Sequence, residues 1–131
     1  MMRHYYCNNK FNASVHCSYY SVFILLKYIL CNCDKPISLD QQNGSTGGFS
    51  HEQIIEEVKN RAHSSCNGRQ IKTKIQVLKK KRHAADYEDI MIDSADCLKA
   101  KQDADTCLKT IKSTFTEIWD KSDIKSFFGS I

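Results

Sequence analysis

Four stretches of the chain carry apolar residues at helical intervals, separated by short polar breaks. From Asn12 onward, His16, Tyr20, Phe23, Lys27 and Leu30 recur three and four positions apart, and Tyr19, Ile24 and Leu26 widen the stripe. This pattern predicts a mostly apolar, central helix. Cys33 to Gly48 then holds the only proline and the run Asn43-Gly44-Ser45-Thr46-Gly47-Gly48, so a loop is expected at about 33–49. Ser50 with Gln53 has the spacing of a capping box, and Ile54, Ile55 and Val58 give a short second helix up to Arg61. Ser64 to Gly68 reads as a break, and Ile71, Ile75 and Leu78 as a third helix toward Lys81. Asp93 with Asp96 resembles an N-cap pair. It opens a long fourth helix on Ala104, Leu108, Ile111, Phe115 and Ile118, reaching Trp119. The final segment, 120–131, is expected to be a frayed tail or a short docking turn. The two strongest stripes should meet, with Tyr19, Tyr20 and Phe23 against Leu108, Ile111 and Phe115.

Composition narrows the picture to one all-α domain over 1–131. A length of 131 residues suits one core, and a single proline with abundant Lys, Glu, Gln, Ala and Leu favours helix over sheet. The run Tyr19 to Leu30 is interrupted by Lys27 and falls short of the roughly 20 apolar residues a spanning helix needs. Its end lacks a small-x-small cleavage pattern. These features predict no membrane segment and a cytoplasmic location. Seven cysteines, an odd number scattered through helical segments, make a poor disulfide framework. Reduced thiols are expected, with Cys17, Cys97 and Cys107 as small core residues. Cys31 and Cys33 with His51, His63 and Cys66 lack the paired C-x-x-C spacing of a zinc site, so neither metal nor cofactor is expected.

Charge adds a contrast. Between Arg69 and Arg82 every charged residue is basic, and Asp86, Glu88, Asp89, Asp93 and Asp96 follow with no Lys or Arg among them. The basic run either solvates one helix face or contacts phosphates, with Lys79, Lys80 and Lys81 supplying non-specific affinity. Arg82-His83-Ala84-Ala85-Asp86-Tyr87, read as a turn, holds the candidate chemistry. An arginine grips a phosphate bidentately, a histidine exchanges protons near neutral pH, and a tyrosine hydroxyl donates to an anion. The competing reading is an Arg82–Asp86 ion pair closing a helix end, with Tyr87 packed beneath it. His16, Tyr19 and Tyr20 fall among core positions and read as structural.

Two segments, Asn12-Ala13-Ser14-Val15-His16-Cys17-Ser18-Tyr19-Tyr20-Ser21-Val22-Phe23 and Lys81-Arg82-His83-Ala84-Ala85-Asp86-Tyr87, resemble HEPN domains. The likeness is to the branch with an A-x-x-x-x-x-Y-Y-x-x-F helix, a late R-x-x-A-D-Y turn and a final amphipathic helix, and it covers roughly Tyr5 to Trp119. It implies a homodimeric up-and-down bundle of four to five helices whose arginine turns face each other, of toxin/antitoxin or defence type. Its members include ribonucleases, RNA-binding modules and non-catalytic partners of a minimal nucleotidyltransferase; a structural adaptor is the remaining alternative. Arg82 would bind RNA phosphate, with His83 or Tyr87 handling protons in metal-independent cleavage and Asp86 at the contact surface. Two departures stand out. Little of the helix that usually precedes the Tyr5 region is here, and its loss would be expected to expose an apolar groove open to a partner. The nuclease branch carries a histidine a few residues beyond the arginine, whereas here that window ends in Asp86 and Tyr87. His83 is adjacent to Arg82 instead, and neighbouring residues on a helix point about 100 degrees apart.

Overall fold

The computed structural model describes residues 2–44, 47–88 and 90–121, with side chains from 10 to 120. The expected tail at 122–131 lies outside the described residues. Six helices and no strand occur among the described residues: α1 (Met2–Asn32), α2 (Leu39–Gln42), α3 (His51–Arg61), α4 (Ser65–Tyr87), α5 (Ser94–Thr114) and α6 (Thr116–Lys121). The chain is an all-α bundle.

The absence of Gly and Pro lets α1 run unbroken until Lys35, at φ 55, and Pro36 turn the chain. Ser50 and Asp93 each close a capping box, with Gln53 and Asp96, as their spacing predicts. A third box, Ser38 with Gln41, starts the four-residue α2 inside the segment expected to be loop. Two boundaries also differ from the sequence reading. Ser64 caps α4, so Cys66 to Gly68 belong to the helix rather than to a break. Arg82 to Tyr87 are its closing turns, not a separate turn. The last stripe is interrupted at Phe115, where the backbone leaves helical geometry (φ -117, ψ 47) before α6 returns Trp119 to the core.

Contacts between helices give their directions. Asn12, His16 and Tyr19, early in α1, meet Ala85, Asp86 and Arg82, late in α4, so the two run antiparallel. Glu52 reaches Lys79 and Glu56 reaches Lys72, which makes α3 antiparallel to α4 as well. Lys81 pairs with Asp103, and α5 returns antiparallel to α4. The α1-to-α3 connection descends along α1: Ile37 N–H donates to Leu30 O, and the buried Gln42 amide donates to Lys27 O and Ile37 O. Consequently α1 and α3 point the same way, and strict up-and-down alternation holds only for α3, α4 and α5.

The core joins Val15, Tyr19, Val22, Leu25, Leu26, Ile29 and Leu30 of α1 to Ile71, Ile75 and Leu78 of α4 and to Ala104, Cys107, Leu108 and Ile111 of α5. The two expected stripes therefore share one core, although the rings of Tyr19, Tyr20 and Phe23 make their aromatic contacts with each other, with His16 and with His51. Cys107 is buried, with burial pushing its thiol up to about 12, while Cys17 is exposed on the outer side of α1, contrary to the expected core position. By length and composition alone, Lys10–Asn32 is apolar enough to cross a membrane, a longer window than the run ending at Leu30 suggests. In this fold its apolar side chains build the bundle centre.

Gly68 allows α3 to close onto α4. A Cβ there would sit 2.7 Å from Lys59 O and 3.3 Å from Ala62 Cβ. Gly68→Ala should therefore lower the melting temperature by the equivalent of about 1–3 kcal/mol, the overpacking cost exceeding the helix-propensity gain of about 1 kcal/mol. An unchanged or raised melting temperature in a thermal circular-dichroism scan would show that the helices have room to separate.

Candidate functional site

At the end of the bundle where α4 finishes, one arginine is held by rings rather than by acceptors. The Arg82 side chain is 13% exposed. Its guanidinium carbon lies 5.4 Å from the Tyr19 ring centroid, 5.7 Å from Tyr20 and 5.6 Å from Tyr87. Cation–π attraction at such distances stabilises the charge by about 0.5–2 kcal/mol per ring without drawing on the N–H groups. Its Nε is buried with no hydrogen-bond partner among the described residues. The nearest carboxylate, Asp86, approaches only to 3.6 Å. Leaving a buried charged donor unmatched costs about 1–3 kcal/mol or more, so packing alone is a poor reason for this arginine.

The same carboxylate oxygen, Asp86 Oδ2, is 2.9 Å from His16 Nδ1. A carboxylate only accepts, so His16 donates through Nδ1, and its other ring nitrogen faces away from that bond. The Tyr20 ring, 4.6 Å from the His16 ring, completes the support. Asn12 ties the backbone of this corner together by donating to Ala85 O at 2.8 Å. The site therefore consists of a guanidinium with an unmatched Nε donor beside a carboxylate-oriented imidazole, all on two antiparallel helices.

Behind Arg82, Tyr19 Oη and His51 Nδ1 lie 2.8 Å apart, and the His51 ring stacks 4.1 Å from Phe23. Burial raises the Tyr19 pKa strongly, only partly offset by Arg82. Burial together with the charges of Lys79, Arg82 and Lys27 lowers that of His51, against Glu52. At neutral pH the phenol thus stays protonated and the imidazole neutral, and the imidazole tautomer sets which of the two donates in the Tyr19–His51 hydrogen bond.

Lys79, Lys80, Arg82 and His83 line one open groove of about 520 Å³, together with Glu52, Gln76 and Glu88. Lys81 points to the opposite side and pairs with Asp103 at 2.7 Å. Lys79 is engaged by Glu52, whose carboxyl is held below the usual range by hydrogen bonds from Lys79 and Gln76. The expected basic run is thus split between two flanks of α4. His83 and Tyr87 pack their rings 5.1 Å apart on the outer surface, and Tyr87 is 68% exposed rather than tucked beneath the helix end. The Arg82–Asp86 pair of the competing reading is present but loose.

His16, Tyr19 and Tyr20, read as structural, and His51, considered only for zinc, are the residues that sequence reasoning missed. Their i, i+3 and i+4 spacing on α1 was a visible signal, but their meeting with Arg82 was not. The zinc candidates are dispersed: His51 faces Phe23, while Cys33 and His63 line a separate groove of about 750 Å³ at the far end of the bundle. Among the described residues no three metal-ligating side chains converge.

A histidine with a lowered folded pKa takes up its proton first in the unfolded chain. Its contribution to stability is complete above 6.5 and is lost as pH falls from there through the folded value. The melting temperature should begin to fall below 6.5, and His51→Gln, which keeps an acceptor for Tyr19, should flatten that part of the profile. The later fall, where Glu52 and Glu56 protonate, should remain. Identical profiles for both proteins in a pH series of thermal melts would remove His51 from this account.

Comparison of the chain with family models, with curated proteins and with solved structures gave no match.

Proposed function

We propose that the chain is an HEPN-type RNA-binding module of toxin/antitoxin or defence type, in which Arg82 holds a backbone phosphate and the His16–Asp86 pair handles protons in metal-independent strand cleavage. The observation that carries this reading is the mostly buried Arg82, whose Nε has no hydrogen-bond partner among the described residues and whose pairing with Asp86 is loose, since a phosphate supplies the planar pair of acceptors a guanidinium fits. Support also comes from the two segments that carry the resemblance, which lie side by side through Asn12 to Ala85, His16 to Asp86, and Tyr19 and Tyr20 to Arg82.

In the proposed reaction His16 removes the proton of a ribose 2′-hydroxyl, and the 2′-oxygen attacks the adjacent phosphorus. The 5′-oxygen leaves with a proton from Tyr87, giving a 2′,3′-cyclic phosphate and a 5′-hydroxyl end. Arg82 stabilises the charge that builds on the phosphoryl oxygens. Of the three histidines around Arg82, His16, His51 and His83, His16 alone is held by a carboxylate among the described residues. The exposure of Tyr87 favours a second reading, a non-catalytic partner of a nucleotidyltransferase in which Tyr87 is the contact or modification site.

The apolar side chains Ile90, Met91 and Leu98 are exposed around the α4–α5 connection. Such a patch favours self-association, and we place the homodimer contact there. Sedimentation at micromolar concentration should give a dimer for the native chain and a monomer for Met91→Asp. A monomeric native chain would end the dimer proposal.

Arg82→Ala should weaken RNA binding by about 1–3 kcal/mol, whereas Lys81→Ala, whose partner is Asp103, should change it by less. Cleavage in EDTA should be abolished by His16→Asn and persist in His83→Asn. Normal binding by a folded Arg82→Ala protein with a lowered melting temperature would reduce Arg82 to a structural residue and sink the assignment.

A further inference from the structure

The basic residues of α4 fall into three lanes, and only one lacks acids. On the flank facing α3, Lys72 pairs with Glu56 and Lys79 with Glu52. On the flank facing α5, Lys81 pairs with Asp103, which Lys99 also reaches. Along the crest, Arg69, Thr73, Lys80, His83 and Tyr87 are all exposed and recur at three-, four- and seven-residue intervals, which puts them on one face. Arg69 and Lys80 have no ion-pair partner among the described residues. Two open grooves adjoin this crest. One, of about 330 Å³, is lined by Arg69, Thr73 and Lys74 among others, and the second is the groove of about 520 Å³ that holds Arg82. Lys80 and His83 belong both to the crest and to the second groove.

From this arrangement we infer that the crest of α4 is a track for a single polynucleotide strand, leading from Arg69 over Lys80 to the Arg82 site. This rests on the RNA reading above and adds the form of the ligand and its path. The length from Arg69 to His83 is about 20 Å, enough for several backbone phosphates in a row. A single strand fits better than a duplex. The exposed cations Arg69 and Lys80 form one line, whereas the second phosphate row of a duplex would pass over flanks on which Lys72, Lys79 and Lys81 are already matched by Glu56, Glu52 and Asp103, leaving only Lys74. At the end of the line, the paired rings of His83 and Tyr87 offer a surface on which an unpaired base stacks.

The test is a salt series of fluorescence anisotropy in EDTA with a labelled 2′-O-methyl oligouridylate of about twelve nucleotides, which attack by a 2′-hydroxyl does not cut. Each phosphate contact on a single strand contributes about 0.7 to the slope of log affinity against log salt. Arg69→Ala/Lys80→Ala should lower the slope by about 1.4 and weaken binding roughly tenfold. Lys101→Ala/Lys109→Ala, the same charge change on the exposed side of α5, should leave the slope unaltered. Circular dichroism on each variant confirms that it is folded. Equal losses from the two double variants, an unaffected crest variant, or equal binding of a duplex of the same length each overturn the track. Arg82→Ala in the same series separates the two claims. A defect in Arg82→Ala with an intact crest variant leaves the site and removes the track; a crest defect with normal Arg82→Ala binding does the reverse. No binding by the native chain overturns both.

Discussion

The antiparallel docking of α1 on α4 is the constraint on which the rest of the molecule depends. Because α1 climbs while α4 descends, the middle of the most apolar helix lies against the last turns of the most basic one. Tyr19 and Tyr20 accordingly meet Arg82, and His16 meets Asp86. Parallel docking would have set the same tyrosines beside the start of α4. The buried faces of both helices, Val15 to Leu30 and Ile71 to Leu78, supply the hydrophobic driving force that holds this arrangement. The polar corner is carried by that core, since its own contacts, rings around a cation and a half-exposed histidine pair, stabilise only modestly.

Electrostatics then sorts residues that look equivalent in the sequence. Exposed ion pairs contribute about 0–1 kcal/mol each, so the Glu56, Glu52 and Asp103 pairs do little for stability. Their effect is on the surface field: they cancel charge on both flanks of α4 and leave its crest positive. Arg82 differs from the lysines in being mostly buried with one donor, Nε, unmatched among the described residues. That difference, more than the number of basic residues, makes this end of the bundle the place where an anion would bind.

Local chemistry was legible in the chain wherever a few neighbouring residues decide it. The capping boxes at Ser50 and Asp93, the apolar periodicities of α1, α3, α4 and α5, and the loop around Pro36 and the glycines all depend on interactions within about one turn. Boundaries were less legible. Gly68 looks like a breaker, but tertiary packing against Lys59 and Ala62 uses it inside α4, and Phe115 looks like one more core position, yet the helix breaks there.

Arg82, Lys79, Lys80, Asp86 and Tyr87 could be nominated from composition and spacing, because a run of charge and a set of reactive side chains are properties of one segment. What surrounds them could not. His16 is separated from Asp86, Tyr19 from Arg82 and Lys81 from Asp103 by stretches of chain that span other helices. No local rule states which of several apolar stripes will face another, or in which direction. The sequence by itself determined an all-helical chain, the caps of α3 and α5, and a basic segment ending in Arg82. Only the tertiary structure decided which cations are neutralised, that His16 rather than His83 is held by a carboxylate, and that Arg82 is stacked among tyrosines. The physical reason is that side-chain pairing follows helix packing, and helix packing is set by the joint burial of several faces at once.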